Sequence, residues 1–277
     1  MAVIQMRFPG GYAKTLTLSY DDGVDQDIRL IDIMHRHGLK GTFNINSGLY
    51  APEGHVWPEG EIHRRMTVTD SQKLYLNSGM EVAVHSLTHP FLEKLSQIDC
   101  TYEIMEDRKN LERDYGCDVR GMAYPFGTFS DEVVEVLRKC GISYARTVIS
   151  TEQFLIPTDW LRLPATCKHT NPRLMELARE FVHASQNGEP MMFYLWGHSY
   201  EFERDDNWSV IEEFAEYIGK RDDIWYATNI EICDYVHSYK KLVVLEDEVF
   251  NPTEETLWFR IPEKGVFSLK PNQRMKI

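Results

Sequence analysis

Apolar positions in this chain alternate with polar ones over short runs and then recur at helical spacing, and the two patterns follow one another through most of its length. Residues 14–19 alternate strictly, which predicts a strand. Behind it Ile28, Leu30, Ile31, Ile33 and Met34 recur at approximately helical spacing between Asp25 and a closing Gly38, which predicts a helix. Residues 40–46 alternate again, and a longer loop over 47–66 carries Trp57 and two prolines. Thr69 with Gln72 reads as a capping box that opens a helix ending at Gly79. A strand over 80–84, a helix over 96–115 and an extended run over 119–124 come next. Ser130 caps a helix whose Val133, Val136, Leu137 and Cys140 share a face, and further helices over 172–186 and 207–219 flank a strand over 191–196. Repeated strand-helix units imply a parallel sheet with helices packed on it. From about Lys240 the pattern changes, because 242–246, 256–261 and 266–269 are strand-like runs separated by turn residues. That tail is too small for a core of its own, so the expected division is a main domain over 1–239 and a small β appendage over 240–277.

Composition narrows the function classes. With 277 residues, 43% of them hydrophobic, the chain can bury one large core. A formal charge of −13 argues against nucleic acid and anionic membranes as partners, since both recruit basic patches, and favours a neutral or cationic substrate. Residues 1–7 show no charged segment followed by an apolar one, and no apolar run is long enough to cross a bilayer, so a cytoplasmic location is expected. Five cysteines form an odd set without CxxC spacing, which fits neither a disulfide framework nor a cysteine zinc site.

Two short stretches supply metal chemistry. Tyr20-Asp21-Asp22-Gly23 follows the first predicted strand, and His85-Ser86-Leu87-Thr88-His89 follows another. Either alone has an ordinary explanation, the first as a solvated turn and the second as a helical pair of histidines. Together, both at the ends of apolar strands, they offer the three N/O ligands that catalytic zinc takes while leaving one position open. A carboxylate doublet also separates two jobs, one Asp facing the metal and the other facing a water. Gly23 allows a sharp turn, and the four-residue spacing of His85 and His89 places both rings on one face of a helical turn.

These residues resemble the polysaccharide deacetylases of the NodB-homology type (carbohydrate esterase family 4). The family's T-F-D-D-G motif is matched by Ser19-Tyr20-Asp21-Asp22-Gly23, and its H-[ST]-x-x-H motif by His85 to His89. Tyr124-Pro125-Phe126-Gly127 is similar to the third motif and Leu195-Trp196-Gly197-His198 to the late Leu/His motif, all in the family's order. The resemblance covers roughly residues 10 to 239 and implies a distorted (β/α)7 barrel. It implies Asp21 as general base, Asp22, His85 and His89 as ligands of a divalent cation, and His198 as general acid. The Phe126 N–H would help form an oxyanion hole, and Leu195 would line an acetyl pocket; Tyr124 and Pro125 are further candidate substrate contacts, and Trp196, ahead of Trp57, Trp160 and Trp208, is the candidate for stacking on a sugar ring. Zinc is the first choice of ion, and Co, Ni, Mn and Fe(II) suit the same donors.

The sequence departs from the family in three places. Ala123 stands where the third motif often carries an Arg that orients the base, and Arg162 is the candidate replacement. The Asp that tunes the acid histidine has candidates in Asp159, Asp205 and Asp206, with Glu201 as another group able to orient His198. The late motif holds two residues between Leu195 and His198 instead of one. The expected activity is metal-dependent removal of an N-acetyl, or O-acetyl, group from a carbohydrate. Hydrolysis of another non-peptide C–N bond, such as a cyclic amide or ureide, and a carbohydrate-binding pseudoenzyme are the alternatives.

Overall fold

The structure, a computed structural model, describes residues 3–277, so Met1 and Ala2, where the expected main domain and the leader reading begin, lie outside the described residues. The chain enters through β1 (Gln5–Arg7) and β2 (Lys14–Asp21), and continues through α1 (Asp27–Arg36), β3 (Gly41–Ile45), α2 (Val68–Tyr75), β4 (Glu81–Val84) and α3 (Gln97–Tyr115). It proceeds through β5 (Gly121–Ala123), α4 (Asp131–Lys139), β6 (Tyr144–Ser150), β7 (Leu163–Ala165), β8 (Cys167–Lys168), α5 (Leu174–His183) and β9 (Met191–Gly197). Helices α6 (Tyr200–Arg204) and α7 (Ser209–Ile218), strand β10 (Ile224–Tyr226) and helix α8 (Asn229–Tyr239) complete this part.

Every pairing in the central sheet is parallel, in the order β7-β6-β5-β4-β3-β2-β9-β8, with β10 against the start of β2. The two ends of that order, β7 and β8, are one residue apart in the chain. The segment reaches both edges: Thr151 N–H donates to Ala165 O at 3.0 Å, and Thr166 N–H donates to Tyr194 O at 2.9 Å. The sheet therefore curls into a distorted (β/α)7 barrel without a ladder closing it, as expected. Along β9 the side chains alternate: Phe193 and Leu195 join the core between sheet and helices, whereas Met192, Tyr194 and Trp196 join the interior cluster with Tyr144 and Leu163.

Helix starts follow local chemistry. Ser96 and Ser130 accept from the backbone N–H groups of Asp99 and Val133, as their sequence positions predict. The helix expected behind Thr69 begins earlier, because Thr67 is the cap and accepts from Asp70 N–H at 3.1 Å, and it ends at Tyr75 rather than near Gly79. The pair Thr67 and Asp70 satisfies the first turn, which leaves Thr69 inside it.

Beyond α8, β11 (Val243–Val244), β12 (Glu248–Phe250) and β15 (Arg274–Lys276) form one antiparallel sheet. β13 (Leu257–Ile261) and β14 (Gly265–Leu269) form another, completed by β1 with Met6 opposite Phe259. Phe8, just after β1, stacks on Trp225 at 5.7 Å, and Trp225 pairs with Thr15 at the start of β2. The sheet that includes β1 thus packs against the N-terminal mouth of the barrel, opposite the strand ends that carry the motifs, and Val249 of the other sheet joins Phe259, Ile261 and Leu269 in a small core of their own.

Candidate active site

β2 ends at Asp21, and the next two residues turn left-handed, Asp22 at φ 86° and Gly23 at φ 65°. This turn throws the two carboxylates apart. Asp22 faces β4 and Asp21 faces β6. Past β4, His85 N–H donates to Asp107 Oδ2 at 3.0 Å, and its ring Nδ1 lies 2.8 Å from Ala123 O, which fixes Nδ1 as the protonated nitrogen. The stretch to His89 is not the helical turn expected from the spacing: Ser86 (φ 62°) and His89 (φ 57°) are both left-handed, and Leu87 N–H donates to Glu103 O at 3.0 Å. The rings still meet edge to face, with centroids 4.8 Å apart.

Asp22, His85 and His89 each offer one ligand atom, and these atoms lie within 4.8 Å of one another. Asp22 Oδ1 is 4.0 Å from His85 Nε2, the nitrogen left with a free lone pair. Burial pushes both imidazoles down, His89 to about 4 with help from His85, which keeps their lone pairs available. Burial alone would raise Asp22, but the His63 hydrogen bond and the charges of Arg65 and His85 hold its carboxyl well below the usual range. The donor set, one hard carboxylate and two neutral imidazoles, fits a divalent cation such as zinc. His63 Nε2 lies 3.0 Å from Asp22 Oδ2, and Arg65 donates to Asp22 Oδ1 at 2.9 Å and to its carbonyl at 2.6 Å. Neither was singled out from the sequence, since both belong to the loop before α2.

Asp21 is held by a residue the sequence reading missed. Arg146, 0% exposed, binds Asp21 Oδ1 through Nη2, and its guanidinium lies 4.6 Å from the centre of the Trp196 ring. Arg146 is the register partner of Ala123 across β5 and β6, so the cation expected at Ala123 comes from one strand over. Arg162 does not take that place: it is bound at the surface by Asp159 and Asp131, both at 2.6 Å. Asn44 Nδ2 donates to the same Asp21 oxygen at 2.8 Å. Burial would raise Asp21, but Arg146, His85 and His198 outweigh it and keep the carboxyl below its ordinary value.

His198 stands on the other side, Nε2 3.7 Å from Asp21 Oδ2 and Nδ1 3.4 Å from Glu201 Oε2. The same Glu201 oxygen is 3.2 Å from Nε2 of the buried His169, and Oε1 accepts from Lys168 at 2.7 Å. Burial works against protonating His198, yet Glu201, then Asp21 and Asp22, hold its pKa above the ordinary value. Asp159 is engaged by Arg162 and Asp205 by Arg204, so Glu201 rather than Asp159, Asp205 or Asp206 faces the imidazole. Glycine at position 197 of the late motif has a steric reason, because a Cβ there would stand 2.0 Å from His169 Nδ1.

These groups open onto a cavity of about 310 Å³ walled by Tyr124, Phe126, Val148, Trp196 and Tyr200. Leu195, fully buried in the outer core, and Pro125, buried in the turn, do not line it. The one-residue insertion turns Trp196 inward in place of Leu195. Tyr124 donates through its hydroxyl to Leu161 O at 2.7 Å. Phe126, left-handed at φ 57° and 50% exposed, stacks on Phe91 at 4.0 Å and edges His89 at 4.4 Å. Asp22, Ser86, His89 and Phe126 are all non-glycine residues with positive φ, so backbone strain gathers around this cavity as it does at functional sites.

Residues 10–145 match the family model described as polysaccharide deacetylase, a span that includes Asp21, Asp22, His85, His89 and the turn at Phe126. Over that span, just under half of its length, the chain is similar to the polysaccharide deacetylase family. A chitooligosaccharide deacetylase of Sinorhizobium fredii is 25% identical over 158 residues, which cover 55% of this chain. The match spans 63% of that relative's length. Among solved structures, a candidate polysaccharide deacetylase from Mycobacterium smegmatis aligns over 89% of this chain and 99% of its own at 15% identity, with a TM-score of 0.60. The family 4 carbohydrate esterase domain of a multidomain xylanase, from the hindgut metagenome of Trinervitermes trinervoides, aligns over 81% and 92% at 16% identity, with a TM-score of 0.51. These likenesses carry the fold. Among the described residues no helix is long and apolar enough to cross a membrane.

Proposed function

We propose that this protein is a polysaccharide deacetylase that removes an acetyl group, N-linked or O-linked, from a carbohydrate, with Asp22, His85 and His89 holding a divalent cation, zinc before its alternatives. The observation that carries the reading is the division of the doublet: Asp22 lies with two neutral imidazoles, and Asp21 lies with Arg146 and His198. A cation bound there supplies Lewis acidity toward the acetyl carbonyl.

The remaining chemistry belongs to side chains of this protein. Asp21, ionised because Arg146 and Asn44 stabilise its charge, takes a proton from the attacking water. The Phe126 N–H donates to the developing oxyanion. His198, kept protonated by Glu201, gives its proton to the departing amine. Tyr124, Val148 and Trp196 exclude water from the acetyl group. The barrel over 1–239 is the catalytic unit in this reading, and the acidic surface makes neutral sugars better partners than nucleic acid or anionic lipid.

Metal analysis of the purified protein, together with acetate release from a panel of acetylated sugars and of ureides, tests the proposal. Acetate from a sugar with stoichiometric divalent metal supports it. Turnover of a ureide alone, or acetate release that survives complete chelation, would overturn it.

A further inference from the structure

The candidate ligands sit on two separate turns. Asp22 follows β2, His85 to His89 follow β4, and β3 runs between those two strands. Both turns are strained, with left-handed backbone at Asp22, Ser86 and His89, a conformation that persists only where the surroundings hold it. The residues that hold it come from the end of β3 and from the loop before α2.

Asn46, 1% exposed, directs its Nδ2 to the carbonyls of both His85 and Ser86, the latter at 2.8 Å. The next two residues tie down the same stretch. Ser47 N–H donates to Asp107 Oδ1 at 2.7 Å while the other oxygen of that carboxylate takes His85 N–H, and Gly48 N–H donates to Leu87 O at 3.0 Å. On the other side of Asn46 stands Arg65. Its Nη1 donates to Asn46 Oδ1 at 2.7 Å and to Asp22 O at 2.6 Å, and its Nη2 to Asp22 Oδ1 at 2.9 Å. One guanidinium and one carboxamide thus join the Asp22 turn to the His85 turn. Backbone sets Arg65 in place: Val24 and Arg65 form an antiparallel bridge, and Met66 N–H donates to Gly23 O at 3.1 Å.

We infer that Arg65 and Asn46 are positioning residues that hold the two ligand turns within reach of one divalent cation before the cation binds. The inference rests on the assignment of Asp22, His85 and His89 as ligands. Charge and geometry make opposite demands on Arg65, and this gives the inference a sign. A guanidinium beside a divalent cation repels it, so if charge alone mattered, removing Arg65 would tighten binding. As a clamp, its loss loosens binding, and groups that orient metal ligands from behind typically contribute about 10- to 100-fold in affinity.

The test strips the full chain of metal and titrates it with zinc, and with cobalt as a second ion, against a competing chelator. The proteins are wild type, Arg65→Met, Arg65→Lys, Asn46→Ala and the double variant Arg65→Met/Asn46→Ala. Kd for zinc should rise about 10- to 100-fold in Arg65→Met. Arg65→Lys should recover little of that loss, because an ammonium cannot reproduce a planar fork that reaches Asp22 O, Asp22 Oδ1 and Asn46 Oδ1 together. The double variant should bind little worse than Arg65→Met, since either change cuts the same link. Tighter or unchanged zinc binding by Arg65→Met contradicts the clamp, as does full recovery in Arg65→Lys or losses in the single variants that multiply in the double. Asn46 is buried, so its variants are the ones at risk of misfolding; if circular dichroism shows that they misfold, the sign of the change in Arg65→Met decides alone. A wild type that binds neither zinc nor cobalt removes the ligand assignment and the clamp together, whereas wild-type binding matched by Arg65→Met removes the clamp and keeps the ligands.

Discussion

Replacing Arg146 by Met keeps most of the side-chain volume and removes the charge. Asp21 is then left 2% exposed, with Asn44 as its remaining close donor and His198 3.7 Å away. Breaking a buried ion pair by removing one partner costs roughly 3–5 kcal/mol, because the other charge stays desolvated. At about 2–4 °C per kcal/mol for a chain of this size, the melting temperature at pH 8 should fall on the order of 10 °C. The sign with pH follows from Asp21. In wild type its pKa is depressed, so its stabilising contribution is present above the ordinary carboxylate pKa and is lost as pH falls through the depressed value. Without Arg146, burial is opposed less and the Asp21 pKa rises, so the acid limb of kcat/KM should move to higher pH. The gap in stability between Arg146→Met and wild type should narrow toward pH 4, where the mutant's Asp21 is protonated. Thermal melts from pH 4 to 8 and a kcat/KM profile measure both effects. A variant that melts within 2 °C of wild type and keeps its acid limb would refute the assignment of Arg146 as the partner of the base.

Further outcomes follow from the other contacts. Glu201→Gln removes the carboxylate that holds the His198 pKa up, so the basic limb of kcat/KM should move to lower pH with metal content unchanged; a fixed limb would detach Glu201 from His198. Gly197→Ala places a Cβ 2.0 Å from His169 Nδ1, and urea titration should show about 1–3 kcal/mol of destabilisation, with native stability counting against the packing argument. Arg162→Ala, which cuts only surface pairs with Asp159 and Asp131, should change stability by less than about 1 kcal/mol and leave the acid limb of kcat/KM in place; a shifted limb would return Arg162 to the site.

The barrel was legible because its periods are strong. β2 alternates, α1 carries an apolar face closed by Gly38, and Ser96 and Ser130 mark the helix starts their side chains then cap. The ligand cluster was legible as residue types but not as geometry. Spacing alone suggests a helical turn for His85 to His89, whereas positive φ at Ser86 and His89 and a hydrogen bond to Glu103 build a loop instead. Arg146 illustrates a second limit. A cation inside an apolar strand signals a buried partner, but the pairing across β5 and β6 that sets it beside Ala123 is long-range. β9 is apolar on both faces, so nothing in its pattern fixes which of Leu195 and Trp196 points inward. β1 spans three residues, too few for a period, so nothing in the pattern shows that the sheet of the tail is completed by the N-terminal strand. His63 and Arg65 lie in an aperiodic loop, and only its fold over Asp22 brings them to the site.

The central claim is that two neighbouring carboxylates do different jobs, and metal content read beside turnover in Asp21→Asn and Asp22→Asn tests it most directly. Asp21→Asn should keep the wild-type complement of divalent metal and lose on the order of 10²- to 10⁴-fold in kcat on an acetylated sugar. Asp22→Asn, like His85→Ala and His89→Ala, should lose most of the bound metal. Equal metal loss in the two Asp variants, or full metal retention in Asp22→Asn, would contradict the account.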